Sequence, residues 1–339
     1  MSASQIRFRR VAVLGAGVMG AQIAAHLVNA GVETLLFDLP AKEGAKNGIV
    51  DKAIANLGKL SPAPLASKKL GAEIVAANYD QNLEWLEGCD LIIEAIAERL
   101  DWKKDLYTKV APHIAKHAIL ASNTSGLPIE ALAGAMPKEL HERFCGVHFF
   151  NPPRYMHLAE LIPCKDTKPE VMDALETFLV TTLGKGVVRA KDTPNFIGNR
   201  IGIGEMLLTF AATKSGNYTV EEVDTLNAKL VGRPKTGSYR LGDMVGLDVV
   251  GHVVTNMRGA LSGDPKAPNF DPLFDLMVVS DVMQTMFERK WFGDKTGQGF
   301  YKKTRGPKGE TVILSLDLNT IDYRPRIEPE FPELKALDR

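Results

Sequence analysis

VAVLGAGVMGAQIAAHLVNAGVETLLFD, residues 11–38, is the stretch that decides the fold. Its apolar opening, Val11-Ala12-Val13-Leu14, reads as a strand buried on both faces. The chain then turns at Gly15-Ala16-Gly17-Val18-Met19-Gly20 and enters an Ala-rich helix reaching about Asn29. Gly31 stops that helix, and Thr34 to Phe37 form a second strand that ends in Asp38. The residue types follow from the geometry of a dinucleotide site. Gly15 allows a tight turn, Gly17 has no side chain to block a pyrophosphate, and Gly20 lets helix and strand pack closely. Free N–H groups and the dipole of the helix start receive phosphates. Asp38, about 18 residues past the last glycine, stands where a carboxylate accepts both ribose hydroxyls and repels a 2′-phosphate. Strand, turn, helix, strand and acid in register predict a Rossmann-type, doubly wound α/β unit that takes NAD rather than NADP.

Composition bounds the rest. The 339 residues suffice for two domains, and 45% hydrophobic content, 24% charged residues and zero formal net charge describe an ordinary globular chain. Neutrality offers no overall attraction to nucleic acid or to an anionic membrane surface. No apolar run approaches the ~20 residues of a membrane span, and no signal core follows Arg7, Arg9 and Arg10, because Val11 already belongs to the first strand. Cys89, Cys145 and Cys164 form no metal pattern and leave one unpaired in any disulfide scheme. They read as buried thiols in a reducing compartment, which points to the cytoplasm.

Outward from Asp38 the pattern turns helical from Lys42 to Leu60, breaks at Ser61-Pro62-Ala63-Pro64 and resumes through Leu70. Lys52, Asn56 and Lys59 fall on one face of the first helix. That face is either solvated or receives an anionic group beside the cofactor, with Lys68 and Lys69 as further candidates. Strands follow at Glu73–Ala77 and at Asp90–Ala95, the latter ending at Ile96-Ala97-Glu98, and a helix from about Asp101 carries Lys103. Ligands of open parallel sheets bind at the carboxyl ends of strands, so Glu98 and Lys103 are expected to face the nucleotide. The strand Ala118–Ala121 runs into Ser122-Asn123-Thr124-Ser125-Gly126, small polar groups suited to cofactor, to substrate, or to capping the helix at Pro128–Leu132.

Phe144 to Pro163, FCGVHFFNPPRYMHLAELIP, is the second informative stretch. Two apolar segments flank the turn Asn151-Pro152-Pro153-Arg154. Antiparallel pairing symmetric about residue 154 puts His148 opposite Glu160, with Cβ atoms about 5 Å apart. An imidazole held by a carboxylate is a general base with a set tautomer and a raised pKa. His26, His117, His141 and His157 read as structural, the usual case for a single histidine, whereas His148 stands apart for its paired acid and the aromatic shield of Phe149 and Phe150.

From about Lys191 the alternation ends. Asp192-Thr193-Pro194 is expected to start a helix at Phe196–Thr213 carrying Asn199. Thr219 to Glu222 is a capping box for the next helix, which stops before Gly232-Arg233-Pro234. Further helices are expected at Leu241–Leu261, bent at Gly246, and at Leu273–Arg289, followed by a compact turn at Lys295–Tyr301. The domains are therefore 1–189, the NAD-binding unit with a helical insertion, 190–304, a smaller all-α domain, and 305–339, a polar linker or arm.

With these residues in view the chain resembles the L-3-hydroxyacyl-CoA dehydrogenases of fatty-acid β-oxidation. GAGVMG, EAIAE, SNTS, HFFNPP, KDTPNFIGNR, DMVGLD and KTGQGFY occur in family order between Arg10 and about Lys303. The resemblance implies oxidation of (S)-3-hydroxyacyl-CoA to 3-ketoacyl-CoA with NAD as cofactor and no metal. It makes His148 the catalytic base and Glu160 its partner, with Ser125 and Asn199 on the substrate's oxygens. Asn151 would lie beside the nicotinamide, and Gly15, Gly17, Met19, Gly20, Asp38, Glu98, Lys103 and Lys295 would contact NAD. Lys59 and Lys52 would meet the CoA phosphates. Glu98 would close over the site when the helical domain moves. Arg99 departs from the asparagine that many members carry. Gly232-Arg233-Pro234-Lys235-Thr236-Gly237 follows the long fused bacterial enzymes, in which a hydratase region accompanies the dehydrogenase. The chain is accordingly expected to be the N-terminal part of such an enzyme or a stand-alone relative. Its helical domain would bury an apolar face in a homodimer or against a further domain. Rival readings are a dehydrogenase of a free 3-hydroxy acid and an NAD-binding protein without activity.

Overall fold

The computed structural model describes residues 7–231, 236–332 and 334, so Gly232–Lys235 of the substituted turn lie outside the described residues. The chain divides into two compact units, Met1–Gly198 and Asn199–Arg339.

Eight strands of the first unit, among the described residues, form one sheet: β1 (Arg10–Leu14), β2 (Glu33–Asp38), β3 (Ile74–Asn78), β4 (Leu91–Glu94), β5 (Ile119–Ser122), β6 (Phe144–Phe149), β7 (Leu158–Pro163) and β8 (Gly186–Arg189). Their order is β3-β2-β1-β4-β5-β6-β7-β8. The first six run parallel, β7 is antiparallel to β6, and β8 is parallel to β7. Helices α1 (Val18–Asn29), α2 (Gly48–Leu57), α3 (Leu100–Val110), α4 (Ile129–Ala133) and α5 (Pro169–Thr181) accompany them. Alternate side chains of Val11–Leu14 in β1 serve opposite layers, which is why that run has no polar position. Val11 and Val13 pack with Ile23 and Leu27 of α1 and Leu175 of α5. Ala12 and Leu14 pack with Tyr107 and Val110 of α3 and Leu132 of α4. The strand order reverses between β1 and β4, and the carboxyl ends on either side of such a switch form the ligand crevice of an open sheet.

Two local expectations change here. The helix expected from Lys42 is confined to Gly48–Leu57, because Ala41–Asn47 is a turn closed by the Ala41 N–H to Lys46 O bond, and Lys68–Glu73 is a 3₁₀ segment. By compactness the first unit runs on to Gly198. Within it, Asp192-Thr193-Pro194 opens no helix. Asp192 instead accepts the Ile129 and Glu130 amides at the start of α4, and Phe196 is buried in the first unit's core.

The second unit holds α6 (Gly198–Gly216), α7 (Val220–Leu230), α8 (Tyr239–Val245), α9 (Leu247–Ala260) and α10 (Asp281–Glu288). Thr219 and Glu222 make the expected capping box on α7. The core gathers Met206, Val220, Tyr239, Leu247, Val254, Met257, Met286 and Phe300. Part of residues 305–339, expected to be a linker or arm, belongs to a sheet. β9 (Tyr301–Arg305), β10 (Thr311–Asp317) and β11 (Asp322–Pro325) form an antiparallel meander. Leu316 is buried in that core, and Tyr301 and Tyr323 pack against it from β9 and β11. Each of those two strands gives one aromatic among polar neighbours, Tyr-Lys-Lys-Thr-Arg and Asp-Tyr-Arg-Pro, and that hid the sheet.

Candidate active site

The glycine-rich turn comes first, since each of its glycines answers to a different neighbour. Gly15 donates to Phe37 O at 2.8 Å and has φ +108°, and a Cβ there would stand 2.8 Å from Ala95 O. A Cβ on Gly20 would meet Gly15 O at 1.8 Å, so α1 can approach β1 only with glycine at that place. Gly17 differs: nothing lies within 4 Å of the Cβ it lacks. Packing within the chain therefore leaves that glycine unexplained, and a ligand seated against the backbone explains it. α1 begins at Val18 with no side-chain cap, so its first amides are available to an anion. Met19, in the first turn, is half-buried against the core. Asp38, at the end of β2, accepts the Ala16 amide at 2.6 Å on one oxygen and the Leu39 amide at 2.7 Å on the other. Each oxygen keeps acceptor capacity for a ribose hydroxyl. These residues fit a dinucleotide.

The neighbouring strand ends carry a relay of charges. Glu94, the last residue of β4, is fully buried and lies level with Leu14 of β1 and Ser122 of β5. It receives the Lys103 ammonium at 2.6 Å, the Ser122 hydroxyl at 2.6 Å, the Tyr107 hydroxyl at 2.9 Å and the Ile96 amide at 2.8 Å. Lys103, expected to face the nucleotide, has a side chain 1% exposed that is turned onto Glu94, with Glu98 Oε2 3.6 Å away. Glu98 Oε1 gathers the Thr124 hydroxyl at 2.5 Å and the amides of Ser125 and Gly126 at 2.9 and 2.8 Å. Burial pushes the Glu98 carboxyl up, but Lys103 and those donors outweigh it and hold the pKa below the ordinary value. Glu98 therefore binds the SNTSG loop. Ser125 itself is exposed, with no hydroxyl partner among the described residues. Capping of α4 falls to Asp192, which leaves Ser125 available to a ligand.

His148 and Glu160 sit directly opposite each other in the β6–β7 ladder, as the symmetric pairing predicts. Nδ1 of His148 lies 2.7 Å from Glu160 Oε2, and the two side chains are 6% and 0% exposed. Glu160 Oε1 accepts the amides of Ile197 and Gly198 at 2.9 and 2.7 Å. Burial raises the Glu160 pKa, but the bonds from His148, Gly198 and Ile197 together take it below the ordinary value. An ionised carboxylate only accepts, so Nδ1 carries the imidazole proton and Nε2 is left as the base. The rings of Phe150 and Phe196, 4.5 and 5.7 Å from the imidazole centroid, shield it from water.

Two bonds tie this pair to the nucleotide edge, and their pairings escaped sequence reasoning. Gln22 Nε2 on α1 donates to Asn151 Oδ1 at 3.1 Å, fixing the residue expected beside the nicotinamide. Asn123 Oδ1 accepts the Phe149 amide at 2.9 Å, joining the end of β6 to the SNTSG loop. Glu94 was missed as well, although an acid closing the apolar run LIIE is a legible signal. Lys52 and Lys59 are both exposed, Lys59 lying just past the end of α2 with Nζ 3.3 Å from Asn56 Oδ1. In the second unit Asn199 occupies the first turn of α6, and Lys295 pairs with Asp248 at 2.5 Å. Among the described residues no cluster could hold a metal ion, no helix is long and apolar enough to cross a membrane, and the three cysteines are buried and free.

Comparison with known proteins follows these lines. Residues 10–193 match the model of the 3-hydroxyacyl-CoA dehydrogenase NAD binding domain, and residues 196–303 match that family's C-terminal domain. A probable 3-hydroxyacyl-CoA dehydrogenase of Bacillus subtilis is 40% identical over 97% of this chain, which spans only 42% of that relative's length. A probable 3-hydroxyacyl-CoA dehydrogenase of Deinococcus radiodurans is 38% identical over 89% of the chain and 85% of its own length. The crystal structure of (S)-3-hydroxybutyryl-CoA dehydrogenase from Ralstonia eutropha superposes with a TM-score of 0.69 at 28% identity, covering 86% of this chain and 98% of that one.

Proposed function

Because the chain belongs to the 3-hydroxyacyl-CoA dehydrogenase family, we propose that it oxidises (S)-3-hydroxyacyl-CoA to 3-ketoacyl-CoA with NAD, in fatty-acid β-oxidation. The observation that carries this reading is the buried His148–Glu160 pair on the sheet that bears the glycine-rich turn.

In this proposal NAD supplies the hydride acceptor, and the protein supplies alignment and a base. His148 Nε2 takes the proton of the C3 hydroxyl, and in the reverse direction returns it to the 3-keto oxygen. Glu160 stabilises the imidazolium that forms and keeps its proton on Nδ1. Ser125 orients the oxygen from its loop, and Asn151 does the same for the nicotinamide amide. Asp38 selects NAD. On resemblance alone, Asn199 joins Ser125 as an oxygen ligand, Lys295 joins the NAD contacts, and Lys52 and Lys59 take the CoA phosphates. The helical unit exposes Ile201, Leu208 and Met244, a surface we assign to a second copy, to be read from the mass in solution.

The test compares acetoacetyl-CoA with free acetoacetate as substrates for NADH oxidation. Binding energy from the CoA moiety should give the thioester a kcat/KM higher by about 10²-fold or more. Equal or better use of the free acid would favour the free-hydroxy-acid reading. No turnover of either, with NADH bound, would leave a binding protein. A series of longer 3-ketoacyl-CoA substrates then sets the chain length.

A further inference from the structure

Resting on that dehydrogenase reading, we infer that Glu94 is a positioning residue that sets the Ser125 loop through Lys103 and Glu98. The carboxylate is fully buried and has about four acceptor sites, all of them used. Lys103 and Ile96 occupy Oε1, while Tyr107 and Ser122 occupy Oε2. A group so filled has nothing left for a ligand, so its influence passes through its partners.

One partner leads outward. The Lys103 ammonium is enclosed between two carboxylates, 2.6 Å from Glu94 and 3.6 Å from Glu98. The Glu98 oxygen that faces away from Lys103 holds Thr124, Ser125 and Gly126. Each link involves a charge, and Glu94, Lys103 and Thr124 are buried, so the geometry of one link constrains the next. Glu94 holds Lys103, Lys103 holds Glu98 Oε2, and Glu98 Oε1 holds the loop. Of the remaining partners, Tyr107 ties Glu94 to α3, and Ser122 of β5 also accepts the Thr124 amide at 3.3 Å, a longer bond than the three that Glu98 Oε1 makes with Thr124, Ser125 and Gly126. Removing the Glu94 charge frees the ammonium to move onto Glu98, which then loosens its grip on the loop amides.

A mutant cycle separates this relay from general stabilisation. Glu94→Gln should lower kcat with acetoacetyl-CoA by about 10- to 100-fold, while the dissociation constant for NADH stays within about 3-fold. In a Glu98→Gln background the same change should cost less than about 3-fold, because the relay is already cut. Tyr107→Phe, which removes a packing donor only, should lower the melting temperature and leave kcat within about 3-fold. Should Glu94→Gln fail to fold, Glu94→Asp draws the charge back by one methylene and is expected to show the same coupling at smaller amplitude. Independent, multiplying effects of the Glu94 and Glu98 changes would overturn the inference, as would a kcat loss in Tyr107→Phe matching that of Glu94→Gln. Wild-type turnover of acetoacetyl-CoA serves as the control for the underlying reading. Its absence would sink the dehydrogenase assignment, whereas multiplying effects in an active enzyme would sink only the relay.

Discussion

Glutamine at position 160 is the most informative single change, because the structure dictates which way its amide must face. Glu160 Oε1 accepts two backbone amides, from Ile197 and Gly198, and Oε2 accepts His148 Nδ1. Glutamine offers one acceptor and one donor in place of two acceptors. With its oxygen towards the amides, both backbone bonds survive and the NH₂ faces His148. The opposite orientation sets the NH₂ against two N–H groups in a fully buried site, at about 1–3 kcal/mol for each unpaired donor. The first arrangement therefore wins, and it makes Nδ1 an acceptor. The imidazole proton moves to Nε2, the atom that has to accept the substrate's proton. Loss of the charged hydrogen bond to the imidazolium costs a further ~1.5–3 kcal/mol, or about 10- to 150-fold in rate. Together these predict a fall in kcat of about 10³–10⁴-fold, comparable to tautomer inversion in a serine protease triad. The assay is NADH oxidation by acetoacetyl-CoA, with NADH affinity measured by fluorescence and the imidazole tautomer by nitrogen NMR. A variant that keeps kcat within about 10-fold, with the proton still on Nδ1, would refute the reasoning.

Three further outcomes are expected. Asp38→Ala should weaken NAD by about 10- to 100-fold and reduce its advantage over NADP; an unchanged ratio in titrations would remove Asp38 from the ribose site. Lys52→Ala with Lys59→Ala should raise KM for acetoacetyl-CoA by about 3- to 10-fold and leave KM for NADH alone, and an unaltered KM would return both lysines to a solvated surface. Burial, with Lys185 nearby, lowers the His26 pKa to about 4, while the Leu183 carbonyl opposes this. Nε2 faces that carbonyl at 3.1 Å, so protonation would place a second N–H at Nδ1, which is buried without a partner. Since the folded pKa lies below the unfolded one, stability from neutral His26 is present above about pH 6.5 and is lost as pH falls towards 4. That loss is at most about 3 kcal/mol. His26→Gln should flatten this part of a urea-denaturation pH series, and an identical slope would exclude His26 as the cause.

How much of this was legible in the sequence depended on the range of the interaction. Residues 11–38 encode strand, turn, helix and acid within one local unit, and the His148–Glu160 register follows from one turn, so both could be read from spacing. The pairing of Lys103 was not legible, because the strand-end rule says where a residue lies but not which carboxylate claims it. Glu94, nine residues away in sequence, decides that. Asp192 reaches back 63 residues to cap α4, a contact no window around the KDTPNF segment contains. The meander at 301–325 looked like a linker because β9 and β11 are mostly polar, and the alternation of so short a strand is weak evidence. Three donors, His148, Gly198 and Ile197, hold the Glu160 carboxyl below its ordinary pKa and so in its ionised form.

The central claim is that His148 moves the proton in an NAD-linked oxidation of a 3-hydroxyacyl thioester. It is met most directly by measuring acetoacetyl-CoA-dependent NADH oxidation for the chain and for His148→Gln, side by side at saturating NADH. Turnover by the first and a loss of about 10²–10⁴-fold in the second, with NADH still bound, is the predicted result. Equal turnover by both proteins would contradict the claim.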